Sequence, residues 1–246
     1  MINRHFGSAM PPTCGSAVST PTHSRLHILA YTFTARCRWV ARKGSRLIFH
    51  PTDLNDAWLI EPNQLSDDRG FYARVWCQDE FGERGLDRTM VQGNISHSHQ
   101  AGTMRGIHYQ LPPMMEAKYV RVLSGAIHDV IIDLRPWSST FGKKFAVELS
   151  ASNRLGLYVP AMFAHGFLTL ADDTEVTYLV SASYTPGLER GMRYDDPTFN
   201  ISWPIDVSVI SDKDLAWPDL DLQAAGAEIA DAKTVSTRTV STRKEL

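Results

Sequence analysis

The stretch KYVRVLSGAIHDVIID, residues 118–133, decides the fold class. It holds two short runs, Lys118–Val122 and His128–Asp133, that are rich in Val, Ile and Tyr, the residues that favour strands. The pair Ser124-Gly125 between them tolerates the backbone geometry of a turn. The stretch therefore predicts two strands that a turn separates.

A similar pattern of short strand-like segments begins at about Leu54 and continues for most of the chain. Short alternating segments punctuated by Gly, Pro and Asp are typical of an antiparallel sandwich or barrel. We predict further strands over residues 70–75, 89–92, 105–110, 146–149, 155–159, 166–170 and 176–180. Helix is sparse and is predicted only over residues 79–84 and in a short piece after Ser211.

Charge is distributed unevenly along the 246 residues. Residues 1–50 contain seven Arg or Lys and no Asp or Glu, so the rest of the chain has 18 basic against 27 acidic side chains. An acidic main domain argues against a nucleic-acid partner. The apolar run Ile28-Leu29-Ala30-Tyr31 is too short for a signal peptide or a membrane span.

The two ends differ in composition from the middle, which predicts three parts. Residues 1–53 are expected to be a disordered extension or the product of an upstream start, residues 54–220 the β domain, and residues 221–246 a linker or disordered tail. Of three cysteines only Cys77 lies in the β domain, and no C-x-x-C is present. Neither a disulfide framework nor a zinc ribbon follows, and a reducing cytoplasm is the expected location.

The stretch Arg105-Gly106-Ile107-His108-Tyr109-Gln110 is the first candidate for a site wall. Histidine can take and return a proton near neutral pH, and a neighbouring arginine suits an anionic substrate. In a regular strand Arg105 would lie out of phase with His108, and Tyr109 would point to the opposite face.

Several other segments follow in an order and spacing that resemble one known family. They are SDDRGF (66–71), VQGNIS (91–96), RGIHYQ (105–110), AK (117–118), DLR (133–135), TFG (140–142), PAMFAHGF (160–167), EVTY (175–178), YTP (184–186), WP (203–204) and SDKD (211–214). Together they resemble the dTDP-4-dehydrorhamnose 3,5-epimerase family. The resemblance implies a cupin-like jelly roll that inverts C3, C5 or both in a dTDP-4-keto-6-deoxyhexose, without metal or cofactor, as a homodimer.

The resemblance also implies roles for particular side chains. His108 would be the base, Asp214 the carboxylate that orients it, Tyr178 the acid on the opposite face, and Lys118 the cation beside the developing oxyanion. Further positions match the family's substrate-binding residues, namely Arg69, Gln92, Asn94, Arg105, His165, Glu189 and Lys213. Their types suit a nucleoside diphosphate, since cations neutralise pyrophosphate and amides read a pyrimidine edge.

Three departures from the family pattern affect the expectations. Arg74 stands where the family usually has a substrate-contacting glutamate, which leaves the identity of the nucleotide and the sugar open. Met162 replaces a glycine, so the turn there is expected either to lose a positive φ or to be rebuilt. Glu116 replaces a glutamine and is expected to make Lys118 less available.

Each single residue also has a structural interpretation. Asp214 could cap a short helix, Tyr178 could be a half-buried strand tyrosine, and His165 could be a structural histidine at a turn.

Two other functions remain open. The His97-Ser98-His99 spacing places two imidazoles on one strand face, so a metal-dependent cupin using His97, His99 and His165 is one alternative, although no carboxylate follows before Gly106. A sugar-nucleotide binding module without catalysis is the other.

Overall fold

The computed structural model describes the backbone of residues 46–242 and the side chains of residues 46–234. Contacts divide the chain into Met1–Val40 and Ala41–Leu246, and all described residues belong to the second unit. Most of the predicted N-terminal extension therefore lies outside the described residues. Within the described part, no helix has the length and apolar character needed to cross a membrane.

Thirteen strands and three helices make up the described residues. In chain order they are β1 (Ile48–Pro51), β2 (Trp58–Glu61), β3 (Leu65–Asp67), β4 (Gly70–Tyr72), α1 (Gln78–Gly82), β5 (Gln92–Ser98), β6 (Met104–Gln110), β7 (Lys118–Ser124), β8 (Ala126–Asp133), β9 (Lys144–Ser150), β10 (Gly156–Val159), β11 (Phe163–Thr169), β12 (Thr174–Val180), β13 (Glu189–Gly191), α2 (Asp212–Leu215) and α3 (Leu222–Thr242).

The strands form two large sheets and one hairpin. One sheet has the order β1-β2-β10-β7-β12-β5, the other β13-β6-β11-β8-β9, and β3 pairs only with β4. All of these strand pairs are antiparallel. The predicted all-β antiparallel sandwich is confirmed. Residues 118–133 cross from one sheet to the other, since β7 and β8 flank Gly125 but belong to different sheets.

The main core lies between the two large sheets. Val120 and Val176 of the six-stranded sheet and Ile127, Ile131 and Phe167 of the five-stranded sheet are buried together there. Alternation along β11 sends Ala164 and Leu168 the other way, into a second cluster on the outer face of the five-stranded sheet. The two faces of this sheet are thus both covered.

The structure has regular elements beyond both ends of the predicted β domain. Leu47 is buried, and β1 pairs with β2 along Ile48–Pro51, so the sheet begins before Leu54. Residues 222–242, which were expected to be a linker or a disordered tail, form helix α3. Ile229 on α3 is fully buried in the second cluster, and Ala225 is buried too. The helix packs against the fold with few large side chains because its small residues allow close approach: a Cβ added at Gly226 would lie 2.9 Å from the Phe141 ring.

Candidate active site

A cavity of about 670 Å³ contains nearly all of the predicted site residues. The predicted residues that line it are Gln92, Asn94, Arg105, His108, Lys118, His165, Tyr178, Glu189, Lys213 and Asp214. They come from strands of both large sheets and from the short helix α2. Arg69 is the one predicted residue that does not line it.

A bulge in β6 brings Arg105 and His108 to the same cavity. The pairing with β11 runs from His165↔His108 to Phe167↔Arg105, so three steps on β6 oppose two on β11. Gly106 lies within the bulge at φ +109, where a side chain is disfavoured, and a Cβ there would lie 2.7 Å from Gly166 Cα. The regular alternation expected for Arg105 was therefore wrong.

His108 and Asp214 form a hydrogen-bonded pair. Nε2 of His108 lies 2.7 Å from Oδ1 of Asp214, and the other carboxylate oxygen accepts a bond of 3.3 Å from the backbone N–H of Gly106. The cap of α2 is Ser211, whose hydroxyl accepts from the backbone N–H of Asp214. The alternative of Asp214 as a helix cap is therefore wrong. With Nε2–H directed at the carboxylate, Nδ1 is the basic atom of the ring.

The surroundings of Asp214 keep it ionised. Burial raises the pKa of this carboxyl group, but the bonds from His108, Gly106 and Ser211 outweigh burial and hold the pKa below its usual range. The carboxylate, 2.7 Å from the ring, fixes the orientation and the tautomer of His108. The pair is therefore suited to taking a proton from a weakly acidic C–H group.

The facing sheet contributes Tyr178 and Lys118. Tyr178 lies on β12 and Lys118 on β7, and the register Val180↔Lys118 makes them near neighbours on one sheet face. Nζ of Lys118 lies 3.1 Å from Oε1 of Glu116, whose other oxygen accepts a 2.7 Å bond from Gln110. Glu116 thus pairs directly with the lysine.

Tyr178 stays protonated well above neutral pH. Burial is the main cause that raises the pKa of its phenol, the charge of Glu116 raises it further, and Arg105 acts in the opposite direction. A phenol that keeps its proton can serve as a donor to carbon.

An ionic cluster lines the cavity near β13. Oε2 of Glu189 lies 2.5 Å from Nζ of Lys213, and it also accepts a 3.3 Å bond from the hydroxyl of Tyr184. The bond to Glu189 raises the pKa of Lys213 above its usual range, against a smaller opposing effect of burial. Oε1 of Glu189 lies 3.8 Å from Nδ1 of His108. Tyr184 was quoted in the motif but not assigned a role from the sequence.

A second buried His–Asp pair contains a residue that the sequence analysis missed. Nε2 of His165 lies 2.8 Å from Oδ1 of Asp129, which is completely buried. Asp129 stands between Ile127 and Ile131 in β8, and a carboxylate among core residues of a strand is the signal that could have identified it. His165 is therefore held by a hydrogen-bonding carboxyl group and not only by packing.

The structure shows how two departures from the family pattern are accommodated, and the second differs from the expectation. Arg74 forms an ion pair with the buried Glu80 and does not line the cavity. Met162 keeps a positive φ of 64°, so the turn retains the glycine-like conformation with a methionine in place.

The structure does not bring together the three histidines of the metal-dependent alternative. His165 lines the cavity, whereas His97 and His99 are exposed and absent from its lining. Among the described side chains, the potential metal-ligating cluster of His97 and His99 includes Asp173 and not His165.

Comparison with known proteins identifies the family. Residues 51–221 match the family described as dTDP-4-dehydrorhamnose 3,5-epimerase. The chain belongs to this family. A dTDP-4-dehydrorhamnose 3,5-epimerase from Sinorhizobium fredii is 41% identical over 175 residues, which cover 71% of this chain and 90% of the relative. The family resemblance seen in the sequence motifs is confirmed, as is the assignment to an epimerase class of isomerases.

Two solved structures extend the comparison. A Bacillus anthracis dTDP-4-dehydrorhamnose 3,5-epimerase with TDP and PPi bound has a TM-score of 0.69 and 39% identity, over 71% of this chain and all (100%) of that one. A 3'-monoepimerase from Streptomyces bikiniensis in complex with dTDP-quinovose has a TM-score of 0.68 and 33% identity, over 77% of this chain and 98% of that one. The expected cupin-like jelly roll is confirmed. The names of the two proteins differ in the number of carbon centres inverted, since one is a 3,5-epimerase and the other a 3'-monoepimerase.

Proposed function

We propose that this epimerase inverts C3 and C5 of a dTDP-4-keto-6-deoxyhexose with His108 as base and Tyr178 as acid. The supporting observation is that the two side chains line one cavity from opposite sheets, His108 from β6 and Tyr178 from β12. Inversion at carbon requires proton removal on one face and proton delivery on the other. A sugar ring between the sheets would present its two faces to these two groups.

The proposed chemistry relies on the ketone at C4, which acidifies the hydrogens at C3 and C5. Nδ1 of His108 takes the proton, Asp214 stabilises the resulting imidazolium, and the electron pair moves to the C4 oxygen as an enolate. Lys118 then balances the enolate charge. Tyr178 returns a proton to carbon from the other face, and both groups are reset by exchange with water.

The nucleotide would occupy the polar part of the same cavity. Gln92 and Asn94 lie on β5, where their amides bond each other at 2.7 Å, and amides of this kind can read the edge of a pyrimidine. Arg105 and Lys213 supply positive charge for a pyrophosphate. A dTDP sugar therefore suits the composition of the cavity.

The test is incubation with dTDP-4-keto-6-deoxyglucose in deuterated water, with NMR observation of H3 and H5. Wild-type protein is expected to exchange both hydrogens and to form the L-configured product. His108→Asn should abolish exchange at both carbons, whereas Tyr178→Phe should keep exchange and lose productive inversion. Full activity in both variants would refute the roles.

A matched control for the histidine is His50→Asn. His50 is exposed and pairs with Glu61 at 2.9 Å, outside the cavity lining, so its loss should leave exchange unchanged. The same spectra count the inverted centres. Exchange at H3 alone would indicate that only one centre is inverted, as the name 3'-monoepimerase states for the Streptomyces bikiniensis protein.

We also propose a homodimer in which Arg69 serves the cavity of the partner subunit. Arg69 lies at the tip of the β3–β4 hairpin, with its side chain 89% exposed and paired only with Asp67 among its described ion pairs. Phe71 and Tyr72 on the same hairpin are exposed apolar residues, which are typical of contact surfaces. In a dimer, the partner subunit would cover Phe71 and Tyr72. Each subunit would then place its Arg69 at the cavity of the other.

Complementation tests this arrangement. Chains with Arg69→Ala and chains with His108→Asn are each expected to be inactive as pure dimers. Refolding them together makes mixed dimers with one cavity that has both side chains, so activity should return to about a quarter of wild type. A monomer in light scattering, or no recovery on mixing, would overturn the proposal.

A cytoplasmic location remains a prediction. Its support is the use of cysteine: Cys77 is free in the described part of the chain, and the other two cysteines lie in the N-terminal segment.

A further inference from the structure

The His-x-His motif that the cavity does not use has a carboxylate partner on the surface. His97 and His99 stand at the end of β5, and the turn before β12 places Asp173 beside them. Oδ1 of Asp173 lies 3.5 Å from Nε2 of His97 and 3.9 Å from Nδ1 of His99. The fold thus supplies the third ligand that the local sequence lacks.

The distances agree with those of a metal site. With metal–ligand bonds of about 2.0–2.2 Å and tetrahedral angles, the ligand atoms of zinc lie about 3.3–3.6 Å apart. All three candidate ligand atoms lie within 4.8 Å of one another, so modest rotations of the exposed side chains would bring them to such a geometry. Two imidazoles and one carboxylate are ligands that zinc accepts, with the remaining position left for water.

Hydrogen bonds of the backbone hold the three residues beside one another. Strand β5 pairs with β12 in the register Ser98↔Thr174, and the backbone N–H of Asp173 donates to the carbonyl of His99. The backbone N–H of Ala101 donates to Oδ1 of Asp172 at 2.8 Å, which fixes the turn from the other side. Such preorganisation reduces the entropy that is lost when an ion binds.

We propose that His97, His99 and Asp173 form a surface site for a divalent transition-metal ion of the zinc class. The three side chains are exposed, so an ion reaches them directly from solvent. The site lies beside the cavity wall, since Arg105 donates a 2.9 Å bond to the carbonyl of His97, but it shares no ligand with the cavity. It is therefore independent of the proposed epimerase chemistry.

The test is calorimetric titration of the untagged full-length protein with Zn²⁺, together with absorption spectra in Co²⁺, whose intense visible bands indicate tetrahedral coordination. Wild type should bind Zn²⁺ at this site, and His99→Ala or Asp173→Asn should weaken that binding at least about tenfold, the loss seen even when groups that merely support a ligand are removed. Both residues are exposed, so neither variant should impair folding.

His50→Ala is the matched control, because His50 is an exposed histidine with one carboxylate neighbour and no second imidazole in its described pair. Its titration should equal that of wild type. Equal titration of wild type, His99→Ala and Asp173→Asn would overturn the proposal, as would the absence of both heat and visible Co²⁺ bands in wild type. Neither outcome changes the expected epimerase activity, since the readout is binding of the ion alone.

Discussion

Replacement of Gly106 by alanine should both destabilise the protein and impair the base. Gly106 has φ +109, and a Cβ there would lie 2.7 Å from Gly166 Cα and from the carbonyl oxygen of His165. The unfavourable φ should cost about 1–3 kcal/mol. Because both contacts are with backbone, relief of the overlap should cost about another 1–3 kcal/mol. Gly106→Ala should therefore lower the free energy of unfolding by about 2–6 kcal/mol in urea denaturation followed by circular dichroism.

A second glycine separates the two causes. Gly85 has φ +70, and a Cβ added there would meet no atom within 4 Å beyond its chain neighbours. Gly85→Ala should therefore show a cost of only about 1–2 kcal/mol, from the backbone conformation alone. The bulge also places His108 and offers the Gly106 N–H to Asp214, so turnover should fall in Gly106→Ala and not in Gly85→Ala. Equal destabilisation of the two variants, with unchanged turnover in both, would refute the reasoning.

Three further changes test other parts of the structure. Burial is the main cause of the raised pKa of Tyr178, and the charge of Glu116 is the second cause. Glu116→Gln removes that charge, so the alkaline limb of the kcat–pH profile should move to lower pH. An unmoved limb would contradict Tyr178 as the titrating acid. Asp133→Asn should cost up to about 3–5 kcal/mol at pH 7, because it removes the buried one of the two carboxylates that pair with Arg135 and leaves only the exposed Asp56. Although burial raises the pKa of Asp133, its hydrogen bonds, led by that of Arg135, hold the pKa below normal. The stability that this carboxylate supplies is thus present above its unfolded pKa and lost as pH falls through the folded pKa, so urea denaturation should find a smaller difference from wild type in acid. Ile229→Ala should cost about 2–5 kcal/mol in the same assay, and a loss below about 0.5 kcal/mol would mean that helix α3 does not pack as described.

The strands of the sandwich could be predicted because their side chains alternate over a shared core. Residues 118–133 are an example, since Val120 and Ile131 both point into the space between the sheets. The candidate site residues were predicted from motif order, and the structure shows that His108, Tyr178 and Asp214, far apart in the chain, line one cavity. A family pattern thus carries tertiary information that local periodicity lacks.

The remaining features depend on tertiary contacts. Helix α3 could not be predicted from hydrophobic periodicity, because its buried face consists largely of small residues around Ile229. The sheet face from which Arg105 projects depends on the bulge at Gly106. Such a bulge depends on the neighbouring strand β11 as much as on the sequence of β6. The approach of Asp173 to His99 is set by the pairing of β5 with β12, which neither segment reveals alone.

Helix α3 has a consequence for the evolution of this protein. It begins at Leu222, directly after the last residue that matches the family, and it covers the face of the five-stranded sheet opposite to His165. Selection can therefore remodel this helix, or exchange it for another covering element, while the catalytic chemistry is inherited unchanged.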